Sequence, residues 1–177
     1  MDGTNLKQVT GGKTDSVPTV SPDDQWVVFT SGQEAKSVLM RVPSVGGPAS
    51  KLTDYPVSSP SISPDGNWIA CEYFTPNQSA SLAIVPFTGG QPARVFPQTV
   101  EILAPIRWTP DGLAISFLNS MNGATNVWEQ PVAGGALKRM TDFPSGDVLW
   151  YAWSPDGRLA LSRGRMPTDA VLIRNFR

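Results

Sequence analysis

A short phrase returns four times along the chain, as Ser21-Pro22-Asp23-Asp24, Ser63-Pro64-Asp65-Gly66, Thr109-Pro110-Asp111-Gly112 and Ser154-Pro155-Asp156-Gly157. Its prolines stand 42, 46 and 45 residues apart (22 to 64, 64 to 110, 110 to 155). A second phrase, Pro-x-x-Gly-Gly, keeps the same period at Pro43–Gly47, Pro86–Gly90 and Pro131–Gly135, with proline spacings of 43 and 45. Two different motifs sharing one period mean that a single supersecondary unit is repeated. A unit this short buries its apolar faces only by stacking on its neighbours.

Each part of the repeat has a physical meaning. Pro-Asp-Gly between apolar runs is a tight-turn signal, because Pro presets φ, Asp hydrogen-bonds its own backbone and Gly accepts positive φ. The runs on either side, such as Pro105-Ile106-Arg107-Trp108 before and Trp68-Ile69-Ala70-Cys71 after, are rich in aromatic and β-branched residues and predict paired strands. A third strand follows each variable loop (Val38–Val42, Leu82–Val85, Asn126–Glu129, Val171–Ile173). The Gly-Gly turn then leads to a short fourth strand carrying a basic residue. No window of a dozen residues sustains helical periodicity. The expectation is an all-β, single-domain β-propeller over residues 1–177, built of four-stranded antiparallel blades. The four repeats fall at about 15–54, 57–97, 101–142 and 147–176. An N-terminal strand over residues 4–10 is expected to complete the last blade and seal the ring, protecting two sheet edges.

Composition removes several function classes. The chain holds 177 residues with no histidine and one cysteine, so Ser-His-Asp and Cys-His catalysis, histidine zinc sites and an internal disulfide are all out of reach. Fourteen Lys+Arg against fifteen Asp+Glu give a net charge of −1, without the basic field that neutralises phosphates, and no nucleic-acid partner is expected. No apolar run approaches the length that spans a bilayer, so no membrane insertion is expected. Residues 1–20 lack the basic start, apolar run and cleavage site of a signal peptide. Met1 runs directly into Asp-Gly-Thr, text of the kind found inside a repeat, which suggests a piece of a longer protein.

Candidate sites compete with plainer readings. Gly11-Gly12-Lys13-Thr14 imitates the tail of a phosphate-binding loop, but Lys7 stands where the first glycine belongs and no helix follows, so a plain loop is expected. Asp23, Asp65, Asp111 and Asp156, one per repeat at a fixed turn position, are turn caps rather than acid–base groups. Asp15, Glu101 and Asp147 fall just before the innermost strands, where oxygen ligands at a channel mouth suit Ca²⁺; the second repeat offers only serine there, and no metal or other cofactor is expected. The six tryptophans are expected to pack between blades. Trp150 and Tyr151 are the exceptions, placed near the start of an innermost strand as candidates to reach the channel face. Arg163 and Arg165, with Arg174 and Arg177, make a locally basic C-terminal end fit to dock an acidic partner. Cys71 alternates with Ala70 in a strand and is expected to be a buried hydrophobe.

Ser-Pro-Asp-Gly-x-Trp-Ile-Ala, Pro-x-x-Gly-Gly and the following Arg/Lys-Leu-Thr resemble the TolB-like, WD-like propeller repeat of bacteria across essentially the whole chain. Residues 161–164 and 171–176 are similar to the end of propellers that follow a Ser/Thr kinase or winged-helix domain. These resemblances imply a non-catalytic interaction or sensor module, part of a larger bacterial signalling protein, binding a protein or small ligand through its loop faces. Propellers of this type also gate prolyl-oligopeptidase-like peptidases and serve as TolB-like scaffolds of the periplasm, a compartment that the resemblance favours over the cytoplasm. TolB-like rings generally have six or more blades. Four repeats therefore leave three arrangements: a narrow four-bladed ring, two chains sharing an eight-bladed ring as a homodimer, or an arc of a larger propeller.

Overall fold

A computed structural model describes residues 7–33, 36–75, 80–97 and 100–164. The first three repeats each form an antiparallel four-stranded sheet in chain order. These are β1 (Asp15–Val20), β2 (Trp26–Ser31), β3 (Val38–Pro43) and β4 (Ser50–Lys51); β5 (Val57–Ile62), β6 (Trp68–Tyr73), β7 (Ser81–Pro86) and β8 (Arg94–Val95); and β9 (Leu103–Trp108), β10 (Ala114–Met121), β11 (Ala124–Pro131) and β12 (Lys138–Arg139). The fourth repeat contributes β13 (Asp147–Trp153) and β14 (Leu159–Gly164), paired antiparallel. Its expected third strand at Val171–Ile173 lies outside the described residues. So do residues 4–6 of the expected sealing strand. Lys7–Thr10 form no ladder, and the Lys7 ammonium donates to the Val45 carbonyl in the turn after β3, which ties this stretch to the first blade.

The repeated phrase builds the β1–β2 type of hairpin in every blade. The Ser63 hydroxyl donates to Asp65 Oδ1 (2.5 Å) and accepts the Trp68 N–H (2.9 Å), while the same carboxylate oxygen accepts the Asn67 N–H (3.1 Å). Ser21 with Asp23 and Thr109 with Asp111 repeat the arrangement, while in the fourth turn the Ser154 hydroxyl donates to Asp156 and accepts the N–H of Arg158, one residue earlier, and the Arg158 Nε donates to the carboxylate. In the first turn Asp24 occupies the left-handed region (φ 58°) that Gly66 takes in the second, a conformation Asp tolerates through local hydrogen bonding.

The hydroxyl donors hold all four turn carboxylates below their ordinary value of 3.8. A carboxylate whose folded pKa is depressed adds stability above its unfolded pKa and loses it as pH falls through the folded one. Ser63→Ala strips both bonds from a buried hydroxyl and is expected to cost about 1–2 kcal/mol at neutral pH. Denaturant midpoints should show the gap to the parent narrowing as pH falls below the ordinary carboxylate value and through the lowered folded pKa of Asp65.

Strand alternation then assigns side chains to seams. Ile69 and Cys71 of β6 face the first blade with Val28 and Leu39, whereas Ala70 between them faces the third blade with Ile115 and Phe117. The third cluster joins Leu118 and Val127 to Val148 and Tyr151 of the last blade. Among the described residues there are thus three apolar seams for four blades. β1 packs on β5, β5 on β9 and β9 on β13, but β13 has no such packing on β1. Val20, the counterpart of buried Trp108, is 53% exposed, with no blade among the described residues packed over it. Over the described residues the blades form an arc, and each innermost strand carries a bulge in its ladder that bends it near the axis.

Candidate functional site at the axial face

Counting two residues back from each turn hydroxyl reaches Thr19, Ser61, Arg107 and Ala152, one per innermost strand. Parity along a strand places all four on one side, and together with Trp108, Trp153 and the turn prolines they line a cleft of about 340 Å³. Arg107 is the one charged side chain among the lining residues described. Its Nε donates to the Tyr151 carbonyl at 3.3 Å, and its guanidinium carbon lies 5.3 Å from the centroid of the Trp150 ring. Trp150 itself is 54% exposed. A cation over an open indole, beside a cleft of mixed polar and apolar lining, combines two of the residue types that most often anchor protein interfaces.

Tyr151 does not share that face, contrary to the expectation from sequence. It is fully buried, its hydroxyl donating to the Pro105 carbonyl (3.0 Å) and lying 3.0 Å from the Ser116 hydroxyl; burial pushes the phenol pKa up. Ser116 also accepts the Trp153 indole N–H (2.9 Å) and donates to the Arg107 carbonyl (3.1 Å), so one hydroxyl of the third blade collects the anchors of the fourth. The indole N–H of Trp108 reaches the Ser61 carbonyl (2.9 Å) in the same way across the preceding seam. Trp68 departs from the packing role expected of it and is 37% exposed.

Arg163 lies with its guanidinium carbon 3.6 Å from the Phe143 ring centroid and donates to the Ser145 carbonyl (2.8 Å), pinning β14 to the loop before β13. Arg165 is outside the described residues. Asp15 accepts the Gly12 N–H (3.0 Å) within the first blade, Asp147 accepts the Thr125 hydroxyl (2.8 Å) from the third, and Glu101 is exposed in the loop before β9. The three do not converge, and the described residues contain no group of three or more carboxylates or thiols placed to hold a metal. Burial pushes the Cys71 thiol pKa up, away from reactivity. Arg107 went unnoticed in the sequence, although counting back from the turn by strand parity singles it out.

No family model matches the chain. It is 37% identical over 100 residues to Tricorn protease homolog 1 of Streptomyces coelicolor, a match covering 56% of this chain and 9% of that protein. It is 33% identical over 78 residues to YuxL, an uncharacterized peptidase of Bacillus subtilis, covering 44% of this chain and 10% of that protein. The chain thus matches about a tenth of the length of either relative. Among solved structures, TolB from Acinetobacter baumannii superposes with a TM-score of 0.77 at 20% identity, over 95% of this chain and 42% of that one. The fold is that of a TolB-like β-propeller.

Proposed function

We propose that the chain is a non-catalytic propeller module that binds a polypeptide at its axial face, with Trp150 and Arg107 as the anchoring pair. The observation that carries this reading is the exposed Trp150 ring with Arg107, itself a residue of the cleft wall, beside it. Thr19 and Ser61 supply hydroxyls along the same wall, enough to orient a backbone, while Trp108 and Trp153 form its apolar floor. A small ligand is the alternative occupant of the cleft. The finer form of the proposal is a sensor segment of a larger bacterial signalling protein, outside the cytoplasm as the TolB-like resemblance implies. A second copy completing an eight-bladed ring is one way to cover the uncovered first face at Val20.

A second reading, favoured by the two relatives named as peptidases, makes the chain part of the propeller that admits polypeptide to a hydrolase domain elsewhere in its parent protein. Both readings require capture of an extended peptide without cleavage by this chain. Peptides selected from a random display library against the purified chain are expected to remain intact on incubation and to bind Trp150→Ala and Arg107→Ala about tenfold or more weakly, as losing a central aromatic or arginine anchor does. Selected peptides indifferent to both substitutions sink the axial site, and cleavage that survives repurification sinks the non-catalytic reading.

A further inference from the structure

The seams between blades differ in one respect that points to a second site. In the first seam, Arg41 of β3 plugs the groove between blades. Its guanidinium carbon lies 4.7 Å from the Trp26 ring centroid and 5.5 Å from that of Phe87, and its Nη1 donates to the Phe87 carbonyl at 3.2 Å. Ladder register gives the counterparts one blade on. Trp26 corresponds to Trp68, each donating its backbone N–H to its turn hydroxyl; Arg41 opposite Val28 corresponds to Ile84 opposite Ala70; Phe87 after Pro86 corresponds to Val132 after Pro131. The plug has become a short aliphatic chain and the far aromatic wall a valine. A pocket of about 410 Å³ remains over Trp68, bounded by Ile84, Val132 and Trp108, with Asp65, Asp111 and Arg94 at its edge.

Arg94 refills the space only in part: it takes the carbonyl bond that Arg41 makes in the first seam, but its ring contact is with Phe96 and not with Trp68. It comes from β8, opposite Ile84, and spends Nη1 on the Val132 carbonyl (2.5 Å), with its guanidinium carbon 5.7 Å from the Phe96 ring centroid. The face of Trp68 is left to solvent. Two carboxylates outnumber the one cation at the edge, so the pocket favours a positive guest. A guanidinium-bearing chain matches it in shape as well, since its aliphatic stem covers Ile84 and Val132 while its planar head lies on the indole.

We propose that the groove between the second and third blades binds an arginine side chain presented by a partner polypeptide, seated over Trp68 as Arg41 is seated over Trp26. The site adjoins the axial cleft at Pro64 and Trp108 but uses a different tryptophan, so the two are separable.

The test is a titration of the ¹⁵N-labelled chain with N-acetyl-arginine methylamide, reading the six indole N–H resonances assigned by single Trp→Phe substitutions. The Trp68 resonance is expected to move saturably in the millimolar range, and the neutral isostere N-acetyl-citrulline methylamide is expected to bind about tenfold more weakly. Ile84→Arg, which restores the plug, should abolish the shift. Should that variant fail to fold, the half-exposed Trp68→Leu should abolish arginine binding read at the remaining indoles. Equal binding of citrulline, or movement at Trp150 with none at Trp68, overturns the proposal while leaving the axial reading to its own test.

Discussion

Replacing Tyr151 with alanine is expected to release the last described blade from the third, at a cost of about 3–5 kcal/mol. The ring is fully buried in the seam formed by Leu118, Val127 and Val148, and its hydroxyl spans that seam to Pro105 and Ser116. Removing it opens a cavity and strips two polar groups of a partner. Tyr151→Phe keeps the packing and loses only the hydroxyl contacts, for about 1–2 kcal/mol. Because stability in a repeat array is a sum of unit and seam terms, the loss should be local. Hydrogen exchange should therefore accelerate in β13 and β14 while β2 and β6 keep their protection. A uniform acceleration across all four sheets would mean that the seams are not separable and that the array unfolds as one body.

Tyr151 also shows where the sequence stops being legible. The four turns, the strand order within each blade and the seam-facing parity of Ile69, Ala70 and Cys71 follow from motifs and alternation alone, since each is decided within a hairpin. Grouping Trp150 with Tyr151 ignored that same alternation: neighbours on a strand face opposite sides, so only one of them can join Arg107 at the axis. Counting from the turn sends Tyr151 to the seam with Trp153 and leaves Trp150 outside. Trp68 is a different case. Its motif is the same as that of Trp26, and nothing local distinguishes them. What differs is whether the adjoining strands carry Arg41 and Phe87 or Ile84 and Val132, a pairing set by the packing of one blade on the next rather than by the hairpin. Arc versus ring was equally out of local reach, because closure depends on contacts between the first and last repeats.

The glycines of the second repeated phrase give the other large expected effect, and they separate backbone strain from seam packing. Gly89 and Gly134 hold the same position in consecutive blades with similar positive φ, 86° and 96°. Alanine at either position pays for the left-handed conformation, about 1–2 kcal/mol. At Gly134 the nearest atom to a new Cβ is the Arg94 guanidinium at 3.3 Å, the far end of a side chain that can yield. At Gly89 the new Cβ would fall 2.6 Å from the Leu52 carbonyl oxygen and 3.0 Å from the Leu52 Cα, both main chain. Leu52 has little freedom to retreat, since its N–H donates to the Leu39 carbonyl (2.8 Å), its own carbonyl accepts the Gly90 N–H (2.9 Å) and its side chain is buried in the first seam. Gly89→Ala must therefore wedge the first two blades apart as well, adding about 1–3 kcal/mol as overpacking does elsewhere. Denaturant midpoints of the two variants measure the difference directly. If Gly89→Ala costs no more than Gly134→Ala, the seam between the first two blades slides freely, and the close approach at Leu52 contributes nothing to holding the arc in shape.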